Sequence, residues 1–242
     1  MGTLYVVGTP IGNLEDMTLR AIRVLREVDV IAAEDTRVTR TLLAAHEIRT
    51  PLVSFHEFSG AERVRRLVER LRGEDIALVS DAGMPGLSDP GYPLIRAALD
   101  AEVSVVPIPG PSAILAALVA SGLPMHAFSF HGFLPRKAGE RGRFLERLRD
   151  ASETTVVFES PHRVAASLRQ IADLLGPTRP VAACRELTKK FEEVVRGGAD
   201  EVASHVERGA PRGEFTLVIG PAAKQASDSR ESAPHGPDDR PA

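Results

Sequence analysis

Residues 77–92 read Ala-Leu-Val-Ser-Asp-Ala-Gly-Met-Pro-Gly-Leu-Ser-Asp-Pro-Gly-Tyr, an apolar run that ends at Ser80 and opens into Asp81 and a loop dense in glycine and proline. A carboxylate at the carboxyl end of a buried strand stands where open α/β sheets bind ligands. It suits ribose hydroxyls, an amino group or a sulfonium charge. One Asp-Ala-Gly alone reads as a capped turn; the density of Gly and Pro tips the reading toward a ligand loop. In residues 105–118, Pro107, Pro109 and Pro111 hold the chain extended until Ser112 caps a helix of small residues. Exposed amides and the positive end of a helix dipole suit a carboxylate there, and Ala113 and Ala116 let a ligand approach closely. A tight packing turn would use the same residues.

The stretch Val6-Val7-Gly8-Thr9-Pro10-Ile11-Gly12-Asn13-Leu14 looks like a phosphate loop and is not one. Gly8 and Gly12 fit neither the dinucleotide fingerprint nor the Walker loop, no lysine follows Gly12, and Pro10 removes an amide that a phosphate cradle needs. His56, His126, His131 and His162 are dispersed, so no metal site is expected. No Gly-x-Ser-x-Gly elbow is present. An enzyme built this way works by binding and positioning two substrates, without a covalent intermediate.

The elements that carry these loops alternate. Leu4–Val7, Val30–Ala33, Leu52–Phe55, Ile76–Ser80 and Val103–Pro107 are short apolar runs, with helical stretches after Asp16 or Thr18, after Arg37, near 61–72 and near 93–101. The first helix is expected to present Leu19, Ile22 and Leu25 on one face with Ala21, Val24 and Val28. Buried runs alternating with amphipathic helices predict an α/β domain with a largely parallel sheet. A helix at Ser112–Ala120 closes this half. The second half resumes with Phe128–Phe133, a helix near 139–150, Thr155–Glu159, a helix over Pro161–Leu175, Val181–Arg185, Glu192–Arg196, a helix near 199–207 and Glu214–Ile219. The expected organisation is two α/β domains, 1–121 and 122–221. Residues 222–242, without Val, Ile, Leu, Phe, Tyr or Met, are expected to be a disordered tail.

The net charge is −3 over 242 residues, so no global basic field exists to coat nucleic acid. A single cysteine, Cys184, and the lack of a long apolar run fit a cytoplasmic protein with no membrane contact. The richest basic stretch is 135–149, with six basic residues against two acidic ones. Arg136, Lys137, Arg141 and Arg143 there suit a phosphate backbone, with Arg63, Arg65 and Arg66 as a second patch.

Taken in order, Thr9–Leu14, Ala33–Arg37, Val79–Gly83 with Ser88–Tyr92, Pro109–Ala113, Gly132–Pro135, Glu159–Arg163 and Arg185–Lys189 resemble the tetrapyrrole methylase superfamily. Within it they are similar to the branch that methylates small-subunit ribosomal RNA. The resemblance covers roughly residues 2–220. Two departures are Gly8, where Pro is usual, and Met84, where Thr is commoner.

The resemblance implies a class III methyltransferase with S-adenosyl-L-methionine in a cleft between the domains. It implies 2′-O-methylation of a cytidine in the decoding region of 16S rRNA within the small ribosomal subunit, by a homodimer that does not act on DNA. Pro10, the loop Asp81, Ala82, Gly83 and Met84, the helix start Pro111, Ser112 and Ala113, and the turn Gly213-Glu214 are the expected cofactor contacts. Glu34, Asp35, Glu159 and Glu186 are the candidates for a general base. Competing readings are a precorrin-type tetrapyrrole C-methyltransferase, a diphthine-forming relative and a non-catalytic ribosome-assembly factor. The tetrapyrrole enzymes commonly carry Gly-Gly-Asp-Pro where this chain has Ser80–Gly83.

Overall fold

A computed structural model describes residues 1–209 and 212–222; apart from Ala222, the expected tail lies outside the described residues. The first half is a five-stranded parallel sheet in the order β3-β2-β4-β1-β5, made of β1 (Thr3–Val7), β2 (Val30–Ala33), β3 (Leu52–Ser54), β4 (Ile76–Val79) and β5 (Ser104–Ile108). Helices α1 (Leu19–Glu27), α2 (Thr36–Ala45), α3 (Ala61–Arg70) and α4 (Tyr92–Asp100) connect the strands. Val7, Ile31, Ala33, Ala77 and Val79 pack with α1 and α2, while Val6, Val30, Ala32, Ile76 and Leu78 pack with α3 and α4. Both faces are therefore buried, which is why β2 and β4 are unbroken apolar runs.

Thr18 caps α1 by accepting the Ala21 N–H at 3.0 Å. Ala21, Val24, Leu25 and Val28 are buried, but Leu19 is 86% exposed. Leu19 is the first residue of the helix and stays outside the cluster that its neighbours bury.

The second half holds β6 (Phe128–Phe133), β7 (Thr154–Glu159), β8 (Pro180–Arg185), β9 (Glu193–Gly198) and β10 (Phe215–Ile219) in the order β6-β7-β10-β8-β9. Only β6 and β7 run parallel. Helices α6 (Ala138–Glu146), α7 (Val164–Leu175) and α8 (Ala199–Arg208) bury Leu145, Leu168, Ile171 and Val202 against one face. The other face is covered by α5 (Ala113–Ser121), whose Ala117 and Leu118 meet Val156, Ala182 and Val218. The helix expected to close the first half thus packs on the second sheet. It contains no charged residue and is apolar all round, so periodicity gave no hint of the sheet it would meet. The chain crosses between the sheets at Pro109–Pro111. Among the described residues no helix is long and apolar enough to cross a membrane.

Candidate active site

The loops that leave β1, β4 and β5 emerge from the same edge of the parallel sheet and are pinned together. Thr9 and Gly83 exchange backbone hydrogen bonds at 2.9 and 3.1 Å, and the Thr9 hydroxyl donates to the Ser80 carbonyl at 3.1 Å. Gly8 lies against Gly110: a Cβ at Gly110 would stand 2.7 Å from the Gly8 oxygen. A Cβ at Gly12 would collide with Lys189 of the second half. The first loop is thus a seam between the halves.

Between them lies a cleft of about 350 Å³. From the first half come Ile11, Ala82, Gly83, Met84, Ser88 and Asp89, with Ser112, Ala113 and Ile114 at the start of α5. From the second come Phe133, Phe158, Glu159, Leu187, Gly213 and Glu214. Ser112 caps α5 through the Leu115 N–H, which leaves the Ala113 and Ile114 amides at the cleft wall. Among the described residues no Lys, Arg or His side chain lines the cleft, and three carboxylates do. That set cannot clamp phosphate; it suits a ligand with a positive centre, a carboxylate for the helix start and an aromatic or apolar body.

Of the expected cofactor contacts, Ala82, Gly83, Met84, Ser112, Ala113, Gly213 and Glu214 converge on this cleft. Pro10 and Asp81 instead line a neighbouring hollow with Thr39, Leu42 and Ser80. Asp81 accepts the Asp35 N–H at 3.1 Å, and its own N–H donates to Glu34 at 3.2 Å. It ties the end of β4 to the end of β2. Pro111 is not among the cleft-lining residues, though its carbonyl oxygen would lie 3.9 Å from a Cβ at Gly83.

Most base candidates have other work. Asp35 caps α2 and pairs with Arg37 at 2.6 Å; the Arg37 side chain and amide hold its carboxyl down at about 2. Glu34 is raised by burial and by the charges of Asp81, Glu57 and Asp35, against the hydrogen bond from Asp81. Glu159 is buried and saturated: it accepts the Ser160 N–H at 2.7 Å, the Ser167 hydroxyl at 2.5 Å and Arg163 at 2.6 Å. Burial would raise Glu186, but the Glu214 N–H and Lys189 hold it below the usual range. Lys189 also pairs with Glu214 at 2.7 Å. Glu186, with φ +50, buttresses Gly213, with φ +82: a Cβ there would collide with the Glu186 carboxyl.

Asp89, Phe133, Phe158 and Leu187 also line the cleft, and none of the expectations above marked them as its wall. Three aromatic residues, Phe128, Phe130 and Phe133, on an edge strand whose register shifts between Phe130 and Phe133 were the available signal. Among the expected phosphate contacts, Arg136, Lys137 and Arg143 are exposed, with Lys137 close to Glu140. Arg141 is buried and donates to Gln170 at 2.7 Å. It leaves that set. Arg65 and Arg66 pair with Glu62, and Arg63 donates to the Ser54 carbonyl, so the second patch is largely neutralised. Among the described residues no three His, Cys, Asp or Glu side chains converge as a metal would need.

The family described as tetrapyrrole (corrin/porphyrin) methylases matches residues 3–203. The chain belongs to this family of S-adenosylmethionine-dependent methyltransferases. Among its relatives, a protein of Halalkalibacterium halodurans named ribosomal RNA small subunit methyltransferase I is 49% identical, over 90% of this chain and 75% of its own. The Bacillus subtilis protein of that name is 47% identical over 96% of this chain and 79% of its own. Among solved structures, uroporphyrin-III C-methyltransferase from Thermus thermophilus, complexed with S-adenyl homocysteine, has a TM-score of 0.63 at 24% identity. That match covers 90% of this chain and 97% of that one. Diphthine synthase has a TM-score of 0.67 at 15% identity, covering 91% and 90%. At that identity the likeness is one of fold.

Proposed function

We propose that this chain methylates the ribose 2′-hydroxyl of a cytidine in the decoding region of 16S rRNA, with S-adenosylmethionine as donor. The observation that carries the reading is the identity of 47–49% to relatives named as small-subunit rRNA methyltransferases, over at least 90% of the chain. The cleft supports it. S-adenosylmethionine supplies an electrophilic methyl group on a sulfonium and brings a carboxylate, an adenine ring and no phosphate. The Ala113 and Ile114 amides would take the carboxylate, Phe133, Phe158 and Leu187 the apolar body, and the cleft carboxylates the positive charge. Holding two reactants in line contributes on the order of 7–11 kcal/mol in well-oriented systems, and a site lined from both halves is built for that.

Ser80-Asp81-Ala82-Gly83 in place of Gly-Gly-Asp-Pro argues against a tetrapyrrole ring as acceptor. The exposed Arg136, Lys137 and Arg143 supply the cation that an RNA substrate needs and the described lining of the cleft lacks. The same reading takes the protein to be a cytoplasmic homodimer; exposed Leu115 and Val119 on α5 offer an apolar face for a second copy. The test is incubation of the purified protein and labelled donor with small subunits lacking the modification, followed by mapping. Label at one cytidine 2′-oxygen is the expected result; label on no nucleotide overturns it.

A further inference from the structure

The hollow beside the cleft has a volume of about 260 Å³, below the roughly 300–1,000 Å³ of pockets for drug-sized ligands and of a size for one pyrimidine ring. Hollow and cleft are lined by the same two chain segments, which change sides between consecutive residues. Pro10 lines the hollow and Ile11 the cleft; Ser80 and Asp81 line the hollow, Ala82 and Gly83 the cleft. Consecutive Cα atoms are about 3.8 Å apart, and the backbone hydrogen bonds between Thr9 and Gly83 hold the partition in place. A ligand in the hollow is therefore a direct neighbour of a ligand in the cleft.

On the reading proposed above, we infer that this hollow receives the base of the acceptor nucleotide and that Asp81 selects cytosine there. The walls have the two parts that an unstacked base needs. Pro10, Leu14, Val38 and Leu42 give apolar surface for the ring faces, with Leu14 and Val38 exposed and Leu42 buried. Enzymes that take a base out of its stack hold it between apolar side chains and read its pairing edge by hydrogen bonds. Thr39 and Asp81 are the polar groups available for that edge.

Thr39 is 3% exposed and lines the hollow, and its hydroxyl has no hydrogen-bond partner among the described residues. A buried hydroxyl left in that condition costs free energy until a ligand pairs with it. Asp81 accepts the Asp35 N–H through Oδ1, which leaves Oδ2 for a second donor. Cytosine offers a 4-amino donor beside a ring-nitrogen acceptor, whereas uracil offers a 4-carbonyl acceptor beside a ring N–H donor. A hydroxyl donates or accepts and serves either base; an ionised carboxylate only accepts. Asp81 therefore matches the amino group of cytosine and opposes the carbonyl of uracil.

The experiment measures single-turnover methyl transfer to unmodified small subunits that carry cytidine or, by substitution, uridine at the mapped acceptor position. Wild type, Asp81→Asn and Val38→Trp are compared, with calorimetric titration of S-adenosylhomocysteine alongside. Wild type is expected to favour cytidine by about tenfold or more. Asp81→Asn keeps an oxygen for the Asp35 N–H and adds an amide donor for the uracil carbonyl, so the ratio of the two rates should fall about 10- to 100-fold. Thioether affinity should stay within about twofold, since Asp81 lies outside the cleft lining. Val38→Trp fills the hollow from an exposed position and should cut transfer to cytidine at least about tenfold, again with thioether affinity kept. It decides the matter should Asp81→Asn fail to fold. Equal wild-type rates on the two nucleotides, an Asp81→Asn ratio within about threefold of wild type, unimpaired transfer by Val38→Trp, or losses that follow thioether affinity overturn the base site and leave the proposed function standing. A wild-type protein that labels no rRNA overturns both.

Discussion

Asp89 carries a cost that can be measured without any substrate. In an unfolded chain its carboxyl titrates near 3.9; in the fold, burial and three neighbouring carboxylates put it at about 6. A folded value above the unfolded one means the stability that the protonated form contributes is complete below pH 4 and is lost as pH rises through 6. Each unit corresponds to about 1.4 kcal/mol, so the ceiling is roughly 3 kcal/mol. The side chain is only half-buried, and water screens part of the effect, leaving about 1–2 kcal/mol. Asp89→Asn keeps the shape and removes the charge. It should therefore be more stable than wild type by that amount above pH 7, with the difference vanishing near pH 4. Urea unfolding of both proteins at each half unit from pH 4 to 8 reads this directly. Parallel stability curves across the range would show that burial and the neighbouring carboxylates do not raise the Asp89 carboxyl.

Other expectations test the parts around it. Glu159→Ala should cost about 3–5 kcal/mol, since it leaves Arg163 uncompensated and Ser167 unpaired beneath the cleft; a loss under 1 kcal/mol in the same unfolding assay would mean that the pair is solvated. Gly213→Ala should lower stability by about 1–3 kcal/mol and weaken S-adenosylhomocysteine binding, because the new Cβ meets Glu186 at a positive φ. Unchanged titrations would show that the turn relaxes. Replacing Arg136, Lys137 and Arg143 with Ala should reduce the slope of log K against log salt for small-subunit binding by about 0.7–0.9 per lost phosphate contact, with thioether affinity unchanged; equal slopes would remove these residues from the RNA interface.

Strand bounds were legible both on the fully buried β2 and on the half-exposed edge strand β6. Val30–Ala33 and Phe128–Phe133 have the bounds that their residue patterns indicated, and the small-residue helix start at Ser112 was visible as a cap. What was not legible depends on contacts distant in sequence. The partner of α5 could not be read from an apolar helix with no polar face. Asp81 was placed correctly at a strand end, but the turn it stabilises belongs to β2, 46 residues away. Arg141 is a different failure, because the signal was there: with Phe144, Leu145 and Leu148 it makes the i, i+3, i+4, i+7 face that α6 buries. Counting charges along 135–149 hid that periodicity.

The charge pattern of the cleft and that of α6 make sense only together. A cleft whose described lining holds three carboxylates and no cation repels an RNA backbone, yet on the proposed reading the acceptor hydroxyl must reach it. Phe133 lines the cleft and Arg136 opens the basic stretch three residues later, at most about 10 Å of chain. The phosphates can therefore be gripped outside the cleft while a single sugar is presented inside it. That separation lets the two tasks fail independently. Loss of the Arg136, Lys137 and Arg143 charges should raise the concentration of subunits needed for half-maximal rate and leave the maximal rate intact.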